Sequence, residues 1–236
     1  MKIPDNAVIY ILYQRTGYLT LLNNRVISKL LSLGPNIFYR TLINISSRIH
    51  KERIKQAFSD EMETEYQGLK PWLPENAGTI LDIGCGVGGI DVLLNQHYQS
   101  DQDIKFFMLD KTGLNPRIYY GFKSEGSFYN SLGITQLLLE ENGIPRKNVQ
   151  LIEATPDFQI PVAFQADLII SLISWGFHYP VSTYIHPVYE HMTSGAYLIL
   201  DIRKGTDGEN ELHQYFSDIK TIMETKTRQR MLVKKQ

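Results

Sequence analysis

One stretch constrains this chain more than any other: Ile80-Leu81-Asp82-Ile83-Gly84-Cys85-Gly86-Val87-Gly88-Gly89. An apolar run ends in a cluster of glycines, and an amphipathic stretch with Ile90, Leu93, Leu94 and Tyr98 follows it. The pattern predicts a strand, a tight turn and a helix. Glycine lets the backbone turn sharply and approach a ligand closely, while the start of a helix presents free N–H groups. Such a unit belongs in an α/β sheet, with its ligand at the carboxyl end of the strand.

From Thr79 onward the same texture repeats. Short apolar runs at Thr79–Ile83, Lys105–Leu109, Val149–Glu153, Ala166–Leu172 and Ala196–Ile202 alternate with longer polar, helix-like stretches. Each run is too short for a helix, and continuous apolar runs such as Leu168-Ile169-Ile170 suit parallel strands buried on both faces. Ile219–Lys226 and Gln229–Lys235 flank a polar turn and predict a closing antiparallel hairpin. The expected fold is α/β, a doubly wound, mostly parallel seven-stranded sheet over residues 76–236. Residues 1–75 read as a helical N-terminal extension. Leu19, Leu22, Val26, Leu30 and Leu33 recur at helical spacing up to Gly34-Pro35, and Phe38, Leu42, Ile45 and Ile49 repeat the pattern. A charged stretch from Lys51 to Glu65 then carries Phe58 and Met62 on one face. An extension of this kind suits a lid, a substrate-recognition segment or a dimer contact, which leaves a homodimer open.

Charge and hydropathy narrow the partners. A formal net charge of −1 over 236 residues offers no bulk field toward nucleic acid or an anionic membrane. No window approaches the roughly 18 apolar residues that a membrane span needs. The first residues carry no secretory pattern, and the single Cys85 suits a reducing compartment. The expectation is a cytoplasmic protein with no membrane span and no nucleic-acid partner.

Gly84, Gly86 and Gly89 also satisfy the G-x-G-x-x-G spacing of dinucleotide sites, a weak pattern on its own. Asp82 separates the two possibilities. A carboxylate two residues before the first glycine would crowd a pyrophosphate, yet it suits a ligand that carries an ammonium group. The segment resembles the first signature motif of class I, Rossmann-like methyltransferases, an acidic residue followed by x-Gly-x-Gly-x-Gly. Asp82, Gly84, Gly86 and Gly88 match it, with the small Cys85 between. The resemblance spans residues 79 to about 202. It implies S-adenosylmethionine as cofactor, with the glycine loop against the amino-acid end and Asp82 orienting the loop and the ammonium.

Asp110, at the end of the next apolar run, can accept from both ribose hydroxyls, and the resemblance places its ribose-binding acid there. Where many relatives carry an adenine-binding Asp, this chain has Ala154-Thr155, so Thr155 is the candidate for that contact. Ser171, at the end of the fourth strand, is placed beside the cofactor. The following segment, Ser174-Trp175-Gly176-Phe177-His178-Tyr179-Pro180, reads as a loop facing the cofactor and is dense in groups that shape a pocket. His178 is the candidate general base for an alcohol acceptor, since neutral histidine is the natural base near pH 7. The alternative is that it merely holds a backbone carbonyl. Trp175, Tyr179 and Tyr120, the last from an aromatic-rich insertion, are candidate acceptor contacts. No metal cluster is legible. The function expected is methyl transfer to a small molecule, a hydroxyl oxygen of a sugar or other metabolite. The alternatives are an NAD-dependent oxidoreductase, a nucleic-acid methyltransferase, or a catalytically inert partner subunit. Against them stand Asp82, the absence of an Asp/Asn-Pro-Pro-aromatic element, and the intact glycines with Asp110.

Overall fold

The computed structural model describes residues 1–15, 17–20, 36–98, 103–115, 121–122 and 128–236. The expected helical run from Leu22 to Leu33, and Tyr120, lie outside them. The strands are β1 (Thr79–Ile83), β2 (Lys105–Asp110), β3 (Gly113–Leu114), β4 (Tyr129–Asn130), β5 (Val149–Glu153), β6 (Ala166–Ser171), β7 (Ser174–Tyr179), β8 (Met192–Arg203), β9 (Asp218–Glu224) and β10 (Arg228–Lys234). Seven of them form one sheet in the order β5-β2-β1-β6-β8-β10-β9. Pairing is parallel from β5 through β8, and β10 runs antiparallel to both β8 and β9. This is the mostly parallel sheet with a closing hairpin that the sequence predicts. From β1 the chain steps outward through β2 to β5, then returns to β6 on the other side of β1. The switch point therefore lies at the carboxyl ends of β1 and β6, where doubly wound sheets bind ligands.

Alternation along the strands divides the core between the two faces. Ile80, Leu168, Ile170 and Ile199 point to one cluster, and Leu81, Ile83, Ile169, Leu198 and Leu200 to the other. The helices are α1 (Val8–Gln14), α2 (Gly17–Thr20), α3 (Asn36–Ile49), α4 (Lys51–Leu69), α5 (Gly89–Tyr98), α6 (Leu132–Glu141), α7 (Ile185–His191) and α8 (Gly208–His213). Val8, Ile11 and Leu12 of α1 join Ile54, Phe58 and Met62 of α4 in the same cluster as Ile80 and Val92. The N-terminal helices thus complete one face of the sheet, and the expected boundary at residue 75 falls inside a continuous core. In α3 the predicted helix forms with a different inward face. Ile43 and Ser46 are buried, whereas Ile45 and Ile49 are 51% and 68% exposed. Adjacent apolar residues at 42 and 43 give two overlapping helical registers, and packing against α1 selects one of them. Among the described residues, no helix is long and apolar enough to cross a membrane.

Candidate active site

The loop after β1 turns with φ +74° at Gly84 and +55° at Gly86, conformations that L side chains rarely adopt. The Gly84 N–H donates to the Leu109 carbonyl at 2.7 Å, tying the loop to the end of β2. A Cβ on Gly84 would lie 1.8 Å from Ser174 Oγ, and one on Gly86 2.7 Å from Gln14 Oε1. The loop is therefore wedged between the start of β7 and the end of α1. Beside it, at the switch point, is a cavity of about 150 Å³ lined by Asp82, Gly84, Cys85, Gly86 and Asp110. Gly88 lies off this lining, against Thr135 and Leu139, with its N–H donating to the Cys85 carbonyl at 3.0 Å.

Burial governs the carboxyls here. Asp110 Oδ2 accepts from the Gly86 N–H at 2.8 Å and from the Asn130 amide at 2.9 Å, and its Oδ1 from the Lys111 N–H at 2.7 Å. Burial nevertheless raises its pKa to about 6, against those three bonds. A carboxylate has about four acceptor positions, so these three donors leave Asp110 about one position open. Asn130 stands beside it, and its Oδ1 accepts from Gln14 Nε2 at 3.3 Å. Asp82 is only 3% exposed, and burial together with the neighbouring charge of Asp91 pushes its carboxyl well up from the usual range.

The connection from β6 into β7 supplies Leu172, Ile173, Ser174 and His178 to the cavity. The sequence suggested a loop for 174–179; the structure makes it a strand. Ser174 and His178 line the cavity, whereas Trp175 packs into the core on the other face of the sheet. Trp175 is fully buried and its indole N–H donates to the Val181 carbonyl at 2.9 Å, so it is core and not pocket wall. Tyr179 stacks on Phe158 and hydrogen-bonds the cavity residue Ser174, without itself being on the lining. His178 Nδ1 lies 3.4 Å from the Gly121 carbonyl. A carbonyl only accepts, so the proton belongs on Nδ1 and the neutral ring keeps Nε2 as its basic atom. Burial, aided by the charge of Arg203, lowers the His178 pKa. Arg203 itself is tied to this strand, donating to the Phe177 carbonyl at 2.8 Å.

Ile173 holds φ +54°, a strained conformation for a β-branched residue. Its N–H donates to Asp201 Oδ2 at 3.2 Å. Asp201 is fixed in turn by Arg228 at 2.8 Å and Arg230 at 2.7 Å, and both arginines reach Glu65 of α4 at 2.7 Å. Burial opposes the Glu65 charge, but the two guanidiniums overcome it and hold the carboxyl below its ordinary range. This network joins the N-terminal helices, the β8–β10 pair and the strained turn.

One further expectation needs correction. The Ser171 hydroxyl donates to the Ile83 carbonyl at 2.7 Å and accepts from the Trp175 N–H at 3.1 Å, so it clamps β6 to β1 inside the sheet. Thr155 follows β5 and bonds Asp157; it is not on the cavity lining, though the N–H of the preceding Ala154 donates to the Asp110 carbonyl at 2.8 Å. Conversely, the sequence pattern gave no reason to place Gln14, Arg15, Phe58, Met62 and Glu65 on the cavity, where α1 and α4 bring them. Phe58 and Met62 were legible as one face of a helix, but which surface that face covers is a tertiary fact. Among the described residues, no group of three His, Cys, Asp or Glu is placed to hold a metal.

The sheet order, with its last strand inserted antiparallel beside β8, and the glycine loop at the switch point define the Rossmann-like methyltransferase fold. The chain is similar to the precorrin-6y C5,15-methyltransferase of Geobacter metallireducens at 14% identity and TM-score 0.51, covering 74% of this chain and 87% of that one. It is also similar to the StiE O-MT, residues 961–1257, at 12% identity and TM-score 0.53, covering 84% of this chain and 81% of that one. No protein-family model matches the chain, and no curated protein matches it in sequence.

Proposed function

We propose that this protein transfers a methyl group from S-adenosylmethionine to a small-molecule acceptor, at a hydroxyl oxygen of a sugar or other metabolite. The observation that carries the reading is the meeting of Asp82, the glycine loop, Asp110 and His178 at one cavity. The residues present suit that cofactor. Glycine at 84 and 86 lets the loop pack tightly against Ser174 and Gln14 at the cavity edge, Asp82 offers an acidic wall for an ammonium, and Asp110 keeps an acceptor position for a ribose hydroxyl. When bound, S-adenosylmethionine supplies a methyl carbon activated by a positively charged sulfur. The protein's part is to hold the acceptor oxygen in line and exclude water. His178 takes the hydroxyl proton on its free Nε2, and its lowered pKa keeps that atom unprotonated at neutral pH. Phe58 and Met62 of α4, Gln14 at the end of α1 and the following Arg15 line the same cavity. That cover suits a small acceptor. The N-terminal helices thus act in the proposal as the acceptor-side wall.

Calorimetric titration with S-adenosylmethionine, S-adenosylhomocysteine and NAD tests the proposal. Micromolar binding of both adenosyl compounds with none of NAD is expected, and binding of NAD alone would overturn it. An acceptor screen that begins with hydroxylated sugars then follows the methyl group.

A further inference from the structure

Among the described residues that line the cavity, Arg15 is the one lysine or arginine. Its backbone is held from both sides. The Arg15 N–H donates to the Ile11 carbonyl at 2.8 Å, and its own carbonyl accepts from the Tyr18 N–H at 3.1 Å. The guanidinium is fixed as well. Its Nη1 pairs with Glu61 of α4, the other Glu61 oxygen accepts from the Tyr18 hydroxyl, and the group lies 5.9 Å from the centre of the Phe58 ring. Nε and Nη2 meet no hydrogen-bond partner among the described residues, and neither atom is sealed in the interior. A guanidinium is planar and presents its donors in a rigid fork, so a carboxylate that anchors one side orients the other for a second anion.

The remaining charges of the wall leave that role to Arg15. Glu65 is held by Arg228 and Arg230, and Asp82 and Asp110 are acids on the glycine-loop side. The cofactor's own carboxylate has the N–H groups at the start of α5, next to the glycine loop. Arg15 instead shares its wall with Phe58 and Met62. We propose that Arg15 binds an anionic group, a carboxylate or phosphate, carried by the methyl acceptor, with Glu61 and Tyr18 as its positioning residues. This rests on the methyl-transfer reading above and narrows its substrate class to hydroxylated acids and phosphates. The N-terminal helices then set the charge selectivity of the cavity as well as covering it.

The test is calorimetric titration of the protein saturated with S-adenosylhomocysteine, using compounds matched except for charge: glucose with glucuronate, glycerol with glycerate and glycerol phosphate, and salicyl alcohol with salicylate. The anionic members should bind about 10- to 100-fold more tightly than their neutral partners, the strength of hydrogen bonds to a charged group. Arg15→Gln should abolish that preference, Arg15→Lys should keep part of it, and Glu61→Gln, which leaves the guanidinium present but unanchored, should reduce it. Equal affinity for charged and neutral members in the wild type, no binding of any of them, or a preference that survives Arg15→Gln overturns the inference and leaves the cofactor reading standing. So does a loss of S-adenosylhomocysteine affinity in Arg15→Gln that methylthioadenosine, which lacks the amino-acid end, does not share, because Arg15 would then hold the cofactor's carboxylate. Failure of S-adenosylhomocysteine to bind the wild type overturns the cofactor reading, and this inference with it.

Discussion

Gly84 carries the contact that sets β7 against the glycine loop, and its replacement by alanine can be worked through. At φ +74° a non-glycine residue is strained by about 1–2 kcal/mol. The added methyl would also fall 1.8 Å from Ser174 Oγ and 2.4 Å from its Cβ, so one of the two backbones must shift. Overpacking of this kind costs about 1–3 kcal/mol. Gly84→Ala should therefore destabilise the protein by about 2–5 kcal/mol, a fall of roughly 4–20 °C in Tm for a chain of this size. The two parts separate in a double-mutant cycle. Ser174→Gly removes both clashing atoms, and the next nearest, Ser174 Cα, lies at an ordinary 3.9 Å. In that background Gly84→Ala should cost only the backbone strain, leaving a coupling of about 1–3 kcal/mol between the sites. Urea denaturation of the four proteins measures it. An alanine penalty that is the same with serine or glycine at 174 would refute the contact as the reason for glycine here.

Three further outcomes are expected. His178→Ala should lower turnover by about 10²–10⁴-fold, the usual contribution of a general base, with S-adenosylhomocysteine affinity little changed. Because the His178 pKa is lowered, the acid limb of the rate profile should lie below the ordinary histidine range, with activity lost as pH falls through it; a limb at or above that range argues against the assignment. Asp82, Asp91 and Asp110 all have folded pKa values raised by burial, the last two to about 7 and about 6. Raised values stabilise the protein at low pH and lose that contribution as pH rises, so the Tm of the ligand-free protein should fall between pH 5 and pH 8; a flat profile would show that the three acids are not desolvated together. Arg230→Met leaves Asp201 and Glu65 with Arg228 alone and should cost about 3–5 kcal/mol. A loss below about 1 kcal/mol in urea unfolding would mean that the network is not what holds the strained turn.

Local chemistry made much of this protein legible. The runs at 79–83 and 149–153 are strands at the predicted bounds, because continuous apolar segments flanked by polar ones have few other ways to be buried. The glycine turn was legible for the same reason: positive φ is a property of the residue itself. Side-chain direction was not. Reading 174–179 as a loop left every group in it available to the pocket, whereas the folded strand buries Trp175 in the core and leaves Ser174 and His178 on the cavity. Thr155 was placed by its position along the chain, and it is the pairing of β5 with β2 that sets it next to Asp110. Asp91 showed in sequence only as a charge among Ile90, Leu93 and Leu94; its complete burial exists because the loop folds α5 back onto β1. The sequence by itself determined which segments are strands and helices and where the backbone must bend, since those follow from neighbours along the chain. Only the tertiary structure decided which side chains share the cavity, because Gln14, Phe58, Asp82, Asp110 and His178 are brought together by burial of apolar faces that no local pattern pairs.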